Sequence, residues 1–363
     1  MSRAIRIHRT GGPEVLVLED VEVGDPGPGE VRVRHSFIAV NFIDIYFRTG
    51  FYQEYGNLPG FRTGTHVELT TSDGVTHGFT FAPTAQTLDP YGLVVVYHPN
   101  FIPDAASGHI AIATGARGPN MAVVSACATG GASIGEAFET IRRGDATAII
   151  AGSSEGVLLP IYHATWCSMR ALAGDNEHPE KALKPFDLNR DGFIAGEGGA
   201  AMILEEYEAA KARGAHIYCE IIGYGSSNDA FDMISLHESG RGLRRAVKAA
   251  IRKAGIDPSE IDYINPHGSG TPSNDRVETE VFKEVMGDAA YKASISSVKP
   301  ITGHCMGASG SVEALACVMA IRDQEVPPTI NYSTPDPECD LDYVPNVARK
   351  RRVRVAMSTS VGL

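Results

Sequence analysis

The pattern of apolar and polar positions changes near residue 100. Before that point, short apolar runs alternate with turns rich in glycine and proline, a texture that is typical of β structure. Residues 63–80 can form a hairpin around Asp73 and Gly74. The strands predicted in this part of the chain are Val15–Leu18, Val31–Val33 and Leu93–Tyr97.

Beyond residue 100, apolar strands alternate with longer segments of helical period, which predicts an α/β architecture. The clearest helix is Gly242–Ala254, because its apolar residues share one face and Gly255 follows as a terminator. The other predicted helices are Ala132–Arg143, Glu206–Arg213, Asn274–Met286 and Ala314–Arg322. The predicted strands are Ala122–Ala126, Ala146–Ala151, Ala200–Glu205, Ile261–Asn265 and Val353–Ser358.

The length and the net charge of the chain limit the classes of function that it can have. The 363 residues can form one large or two ordinary domains with a buried core. A net charge of -12 gives the chain no general attraction to nucleic acid or to an anionic membrane. No apolar run approaches the ~18 residues of a membrane span. The basic run 349–354 either meets an acidic partner or keeps a strand edge solvated.

The cysteines bear on the cellular compartment. The six cysteines form no CxxC pair and show no regular spacing. This pattern indicates thiols in a reducing compartment rather than a disulfide framework or a zinc site. The first residues also lack the apolar core of a signal peptide. We therefore expect a cytoplasmic protein.

Cys127 is the candidate nucleophile. It lies where a predicted strand changes to a helix, in the run Ser125-Ala126-Cys127-Ala128-Thr129-Gly130. A helix N-terminus favours the thiolate through its dipole and its unpaired amides, and the same amides can bind an oxyanion. An inert buried cysteine after a strand is the alternative interpretation.

Two histidines follow other predicted strands. His267 precedes a glycine-containing loop, and His304 lies just before a predicted helix. Ligand sites in α/β sheets cluster at such strand ends, so Cys127 and these histidines can share one site. Lys299 can pair with Glu313 and hold the second loop. Hydrogen-bonded loop histidines and an ordinary surface lysine are the alternatives.

Metal and nucleotide motifs are not supported. Residues 187–192 match the opening of a calcium loop, but the twelfth position, which needs a bidentate glutamate, is Gly198. The chain has no Walker loop and no G-x-G-x-x-G opening a helix. We therefore expect no resident metal and no nucleotide.

The motifs together resemble the β-ketoacyl synthases, in particular the elongating acyl-carrier-protein type with a Cys–His–His triad. The resemblance runs from about residue 100 to residue 363 and follows the family's order of motifs. It is carried by Ser125–Gly130, Pro185–Asp187, Arg190–Gly198, His267–Pro272, Lys299 and Gly303–His304, with Ser269 where threonine is usual.

The resemblance implies a thiolase-like layered α/β fold and a homodimer in which the strand before Cys127 pairs with its copy. It implies an acyltransferase that acts in fatty acid or polyketide synthesis. Cys127 would take an acyl group from an acyl carrier protein or acyl-CoA thioester. Its own amide and that of Leu363 would form the oxyanion hole.

The resemblance also assigns roles to the remaining site residues. His267 and His304 would stabilise the enolate that forms as a malonyl thioester loses carbon dioxide. Lys299 would orient His304 with Glu313 as its support, and Thr271 belongs to the loop of His267. No cofactor of the enzyme's own is implied, since the carrier's phosphopantetheine is part of the substrate.

The resemblance divides the chain into three parts. Residues 1–52 resemble the N-terminus of zinc-independent quinone oxidoreductases in the runs 11–16 and 40–50, where Asn41 and Tyr46 would fall near a nicotinamide. Residues 53–98 form an unassigned linker or β segment. Residues 99–363 form the synthase-like domain, which we expect to be incomplete at both ends, as in a fusion, a recombinant or a design.

Other functions stay open on the sequence alone. The chain could be an inactive scaffold that dimerises through a synthase-like interface. It could be a fragment of an NADPH-dependent oxidoreductase, or a chain that does not fold stably. Measurements of Cys127 acylation and of NADPH binding distinguish these candidate functions.

Overall fold

The computed structural model describes residues 2–7, 16–21, 66–70, 76–80, 103–232 and 234–362. The chain divides into two compact units, Met1–Ala105 and Ala106–Leu363. The predicted strands Val31–Val33 and Leu93–Tyr97 lie outside the described residues, as does most of the part that resembles a quinone oxidoreductase.

The described residues of the first unit form two antiparallel strand pairs. Strand β1 (Ser2–Ile7) pairs with β2 (Leu16–Val21), which overlaps the predicted strand Val15–Leu18. Strand β3 (His66–Thr70) pairs with β4 (Thr76–Thr80), and residues 71–75 connect them. The hairpin predicted within residues 63–80 is therefore confirmed, and the described residues before residue 100 have the expected β character.

The second unit alternates helices with short strands. Its helices are α1 (Ala105–Thr114), α2 (Thr129–Arg142), α3 (Pro160–Met169), α4 (Pro179–Ala182), α5 (Tyr207–Ala212), α6 (Arg241–Ala254), α7 (Pro272–Met286), α8 (Lys299–Thr302) and α9 (Ser309–Asp323). Its strands are β5 (Ala148–Glu155), β6 (Gly198–Glu205), β7 (Tyr263–Asn265), β8 (Ser294–Ile295), β9 (Glu325–Val326), β10 (Arg349–Lys350) and β11 (Ala356–Ser358). Single 3-10 turns occur at Ala126–Ala128, Pro258–Glu260, Gly287–Ala289 and Met306–Ala308.

These strands form three small sheets. A parallel sheet has the order β11-β7-β8, while β5 pairs with β6 and β9 pairs with β10 in antiparallel fashion. The main core lies where the parallel sheet meets α6 and α7. Its most deeply buried members include Phe186, Ile264, Val277, Val281, Phe282 and Ile295.

Helix α6 forms as its sequence period predicts. Leu243, Val247 and Ile251 are buried on one face, and the helix ends at Gly255. Gly255 has a φ of 67°, a left-handed conformation that glycine adopts without steric cost. The amphipathic pattern was therefore sufficient to locate this helix.

The strand predicted at Ala122–Ala126 does not form. Residues 121–125 have no regular structure, and a 3-10 turn begins at Ala126. A strand is stabilised by hydrogen bonds to a neighbour, and none of the described residues pairs with this segment. Met121 is 54% exposed and Val124 is 78% exposed, so the apolar run is not a buried strand.

Helices α2 and α9 cross at a point where only glycine fits. A Cβ added to Gly130 would overlap the backbone nitrogen of Ser311, and one added to Gly310 would overlap the backbone nitrogen of Gly131. The two clashes are reciprocal. Gly130 and Gly310 lie 180 positions apart in the sequence, and so do Gly131 and Ser311. The crossing therefore relates the two helices by an approximate twofold axis.

The basic run forms a strand edge. Arg349 and Lys350 make up β10, where they pair with Asp342 and Glu325 respectively. This arrangement agrees with the interpretation of the run as a solvated edge. Within the part of the chain that the structure describes, no helix has the length and apolar character needed to cross a membrane.

Substitution of Gly130 tests the helix crossing. Alanine is about 1 kcal/mol better than glycine within a helix, but at Gly130 its methyl group would meet the backbone of α9. We expect Gly130→Ala to lower the free energy of unfolding by at least about 2 kcal/mol in a urea titration. Gly108→Ala is the control, because nothing lies within 4 Å of a Cβ at that position in α1. Equal effects of the two substitutions would contradict the crossing.

Candidate active site

Cys127 lies in the turn that leads into α2. The turn Ala126–Ala128 is held by Thr129, whose hydroxyl accepts a 2.8 Å bond from the amide of Ser125 and donates to the carbonyl of Ala126. Ala126 has a φ of 44°, which costs a residue with a Cβ on the order of 1–3 kcal/mol. Such local strain presents the half-buried Cys127 at the helix N-terminus, in the position expected from the sequence.

A second turn of the same shape lies beside the first. Met306–Ala308 precedes α9, and Met306 has a φ of 43°. The offset of 180 residues that relates Gly130 to Gly310 also relates Cys127 to Gly307. Gly307 therefore occupies in the second turn the place that Cys127 has in the first. A Cβ on Gly307 would lie 3.6 Å from the carbonyl oxygen of Ala126, so the turns are neighbours. This contact brings the segment that contains His304 beside the turn of Cys127.

His304 is fixed by its backbone and by one hydroxyl. Its amide donates to Ile194 at 2.7 Å, and its carbonyl accepts from Gly196 at 2.9 Å. Its Nδ1 lies 2.9 Å from the hydroxyl of Ser309. Burial, reinforced by the charge of Lys299, lowers the pKa of His304 well below its usual value. Where Ser309 donates to Nδ1, the neutral ring carries its proton on Nε2.

His267 lies next to His304, with 5.3 Å between the ring centroids and 81° between the ring planes. Burial lowers its pKa well below the usual value, and the charge of Lys299 adds to this effect. Both imidazoles are therefore neutral at physiological pH, and each keeps one N–H donor. The Nδ1 atom of His267 is buried without a hydrogen-bond partner among the described residues.

Lys299 and Glu313 form a buried ion pair, as the sequence analysis expects. Both side chains are almost fully buried, and the Lys299 ammonium also donates to the backbone carbonyl of His267. Burial raises the pKa of Glu313, and the charge of Lys299 opposes that rise. Lys299 thus holds the His267 loop directly, and its charge also lowers the pKa of His304.

Glu278 supports the same loop and was missed in the sequence. Its two carboxylate oxygens accept the amides of His267 and Gly268 at 2.8 and 2.7 Å. The carboxylate also accepts from Thr359 and Asn274. Burial raises the pKa of Glu278 to about 7. The sequence did contain a signal for this role. Glu278 lies on the apolar stripe of α7, and a charged residue that is buried there needs hydrogen-bond partners.

The C-terminal segment links the loops. The Thr359 hydroxyl accepts a 3.3 Å bond from the amide of His267, and a Cβ on Gly362 would lie 2.6 Å from the carbonyl oxygen of Ser125. The turn of Cys127 and the loop of His267 therefore contact one strand end. Leu363, expected to complete the oxyanion hole, lies outside the described residues.

Two further features complete the surroundings. Thr271 is the N-cap residue of α7, and its hydroxyl lies 2.9 Å from that of Ser269. Phe193 packs edge-on against His304 with 5.1 Å between ring centroids, and Trp166 packs against Phe193. The two aromatic rings form an apolar wall beside His304, which limits the access of water on that side.

Glu278→Gln tests the buried carboxyl. Because the folded-state pKa of Glu278 is raised from 4.5 to about 7, its contribution to stability is fully present below pH 4.5 and is lost as pH rises through 7. We expect the free energy of unfolding of the unmodified protein to fall over this window by about 3 kcal/mol more than that of Glu278→Gln. Urea titrations at a series of pH values measure the free energy of unfolding of both proteins.

Glu280→Gln, on the exposed side of the same helix, is the control for this experiment and should follow the unmodified protein. A pH dependence that is identical in all three proteins would refute the assignment of a raised pKa to Glu278.

Lys299→Met tests the buried ion pair. The substitution leaves the Glu313 carboxylate buried without its cation, so we expect a loss of about 3–5 kcal/mol in the free energy of unfolding. The double variant Lys299→Met/Glu313→Leu should recover most of this loss, because it contains neither charge. Chemical denaturation compares the three proteins. A single variant as stable as the double variant would mean that the pair is not buried.

Comparisons with known proteins agree with this geometry. The family models "Beta-ketoacyl synthase, N-terminal domain" and "Beta-ketoacyl synthase, C-terminal domain" match residues 62–210 and 218–333. The first match begins inside the segment 53–98, for which the motifs in the sequence indicated no family.

Two relatives each match 73% of the chain. A 3-oxoacyl-acyl-carrier-protein synthase 2 of Synechocystis is 48% identical over 264 residues, which is 73% of this chain and 64% of that protein. A putative polyketide beta-ketoacyl synthase 1 of Streptomyces cyaneus is 46% identical over 73% of this chain and 63% of its own length. The chain thus spans less than two thirds of these relatives.

Solved structures confirm the α/β, thiolase-like fold class expected from the sequence. One is a ketosynthase bound to the hexaketide in complex with its type II polyketide acyl carrier protein, with a TM-score of 0.70 and 39% identity. That match covers 73% of this chain and 68% of the other. A beta-ketoacyl synthase from Burkholderia phymatum has a TM-score of 0.68 at 33% identity, covering 76% and 64%. The chain therefore belongs to the beta-ketoacyl synthase family.

Proposed function

We propose that this chain catalyses the decarboxylative condensation of a malonyl thioester with an acyl group held on Cys127. The observation that carries the proposal is the pair of buried, neutral histidines beside a strained cysteine turn at a helix N-terminus. The relatives named above act in fatty acid or polyketide synthesis, and the chemistry proposed here is common to both.

The first step is acylation of the cysteine. The Cys127 thiolate attacks the carbonyl carbon of an acyl thioester, and the carrier leaves as a thiolate, which takes a proton from water, as the new thioester forms. The N-terminal end of α2 favours the thiolate and supplies amides for the oxyanion, among them that of Cys127. Leu363 is the proposed second amide donor.

The second step forms the carbon–carbon bond. His267 and His304 donate hydrogen bonds to the carbonyl oxygen of the malonyl thioester, where negative charge develops as carbon dioxide leaves. The resulting enolate attacks the carbonyl carbon of acyl-Cys127. The carbon–sulfur bond to Cys127 breaks, releasing a β-ketoacyl thioester and restoring the thiolate. Neutral rings suit this role because they donate without transferring a full proton.

The remaining residues position these groups. Lys299 and Glu313 fix the backbone carbonyl of His267, while Glu278 fixes two amides of the same loop. Thr271 joins the loop to α7 as its N-cap residue. Each of these contacts restricts the histidine ring that faces the substrate, so their loss would lower the rate without removing a reacting group.

The proposal includes partners and location. The substrates are acyl carrier protein or coenzyme A thioesters, and the reaction as written needs no metal or redox cofactor. A homodimer is supported by the exposed apolar residues Met121 and Val124 next to the turn of Cys127. A reducing cytoplasm is supported by the cysteines, none of which forms a disulfide.

Intact-mass analysis tests the nucleophile. We expect a medium-chain acyl thioester of N-acetylcysteamine to add one acyl group, and peptide mapping to place it on Cys127. Cys127→Ala should show no adduct, whereas Cys167→Ala, which removes an exposed thiol, should react normally. Absence of an adduct, or equal labelling of all six cysteines, would refute the proposal.

Release of carbon dioxide tests the histidines separately. His267→Ala and His304→Ala should still be acylated but should decarboxylate malonyl thioester about 10²–10³-fold more slowly, because each loses one donor to the enolate oxygen. Radiolabelled malonyl thioester measures this rate. Unchanged decarboxylation in both variants would exclude them from the enolate site.

A further inference from the structure

The hydroxyl of Ser309 is a buried polar group that the proposed mechanism does not yet use. Ser309 is the first residue of α9 and is only 3% exposed. Its hydroxyl oxygen lies 2.9 Å from Nδ1 of His304. Buried hydroxyl groups almost always have a hydrogen-bond partner, and here the partner is a ring nitrogen of a proposed catalytic residue. The contact therefore bears on the ring of His304 and not only on the stability of α9.

The contact with Ser309 selects one orientation of the His304 ring. The backbone of His304 is already held, because its amide donates to Ile194 and its carbonyl accepts from Gly196. The ring can still rotate about its Cβ–Cγ bond, a torsion with two broad minima. A half-turn would exchange Nδ1 with the ring carbon Cδ2, and a C–H group would then face the Ser309 hydroxyl. Only one of the two orientations makes the hydrogen bond, so the bond favours that orientation.

The surroundings of Nδ1 indicate which of the two partners donates. Burial keeps the His304 ring neutral, so only one of its two nitrogens carries a proton. Helix α9 is 15 residues long, and Nδ1 contacts the side chain of its first residue. The N-terminal end of a helix is positive, so it attracts the lone pair of a neighbouring nitrogen and repels an N–H group. The Ser309 hydroxyl is therefore the donor, and the proton of the ring lies on Nε2.

The two histidines of the site are held in different ways. His267 is held through its backbone, because its amide donates to Glu278 and its carbonyl accepts from Lys299. Its Nδ1 atom is buried with no hydrogen-bond partner among the described residues. His304, by contrast, has a hydroxyl bonded to the ring itself. A residue that fixes a ring nitrogen affects which nitrogen can donate to a substrate, whereas a backbone contact does not.

We propose that Ser309 is a positioning residue, which donates to Nδ1 of His304 and so holds the ring with its N–H group on Nε2. The inference rests on the function proposed above, in which His304 donates a hydrogen bond to the carbonyl oxygen of the malonyl thioester. Ser309 acts through His304 and not on the substrate. Its role concerns decarboxylation, and the acylation of Cys127 does not depend on it.

Release of carbon dioxide from a radiolabelled malonyl thioester of N-acetylcysteamine tests this role. Ser309→Ala removes a single oxygen atom, and we expect about three- to tenfold slower decarboxylation, the effect of losing one hydrogen bond. Acylation of Cys127 by an acyl thioester of N-acetylcysteamine should be unchanged. In a protein that already contains His304→Ala, the same substitution should have no further effect, because no ring is left to position.

Ser311→Ala is the matched control for this experiment. It removes another buried hydroxyl of α9, whose partner is the hydroxyl of Ser153 at 2.7 Å. The control should leave the rate of decarboxylation unchanged. Equal losses from Ser309→Ala with and without the His304 ring would mean that Ser309 only packs the helix, and would overturn the proposal. A loss of the same size in Ser311→Ala would overturn it as well.

Nitrogen NMR of the full chain, labelled with 15N in its histidine rings, measures the tautomer without any substrate. The signals of His304 are those that are missing from the spectrum of His304→Ala. We expect the proton on Nε2 in the unmodified protein, and we expect Ser309→Ala to shift the signal of Nδ1, which loses its donor. A proton on Nδ1 in the unmodified protein, or an Nδ1 signal that Ser309→Ala leaves in place, would overturn the role of Ser309.

The two measurements separate this inference from the function on which it rests. If the unmodified protein releases no carbon dioxide, the condensing function fails, while the nitrogen spectrum still decides whether Ser309 fixes the ring of His304. If decarboxylation is normal in Ser309→Ala, the positioning role fails and the condensing function is unaffected.

Discussion

The close crossing of α2 and α9 is the contact on which the site depends. Gly130 and Gly310 let the two helix backbones meet, and the turns that begin the helices are thereby placed side by side. One turn contains Cys127, and the other follows His304 by two residues. A methyl group on either glycine would separate the helices and the site together, so packing and chemistry share one steric constraint.

The two turns have the same backbone shape but different roles. Ala126 and Met306 both have a positive φ, which is unfavourable for residues with a side chain. The equivalent positions that follow them are Cys127 in one turn and Gly307 in the other. The two halves of this approximate twofold arrangement thus share the strained backbone geometry, while one half carries the proposed nucleophile and the other, with glycine, allows the turns to approach closely.

Electrostatics in the site follow from burial. Two histidines are kept neutral because they are removed from water and lie near the cation Lys299. Lys299 is in turn balanced by Glu313, and Glu278 accepts four hydrogen bonds with no cation partner among the described residues. The buried groups orient the loop of His267 through backbone contacts. In the proposed mechanism, the histidine N–H groups donate to a substrate oxygen.

The sequence by itself determined helices α2, α5, α6, α7 and α9 of the second unit, the hairpin within residues 63–80 and the candidate residues Cys127, His267, His304 and Lys299, but it did not predict α1 or α3. These features could be predicted because the amphipathic period and the turn residues are local signals in the sequence. The motifs that contain the candidate residues lie next to the ends of predicted helices and strands. Only the tertiary structure decided that Ala122–Ala126 is not a strand within the described chain, because strand formation depends on a neighbour that can lie far away in the sequence or in another molecule. It likewise decided that Glu278 binds the His267 loop and that α2 meets α9 at glycine, since both depend on residues brought together from distant positions.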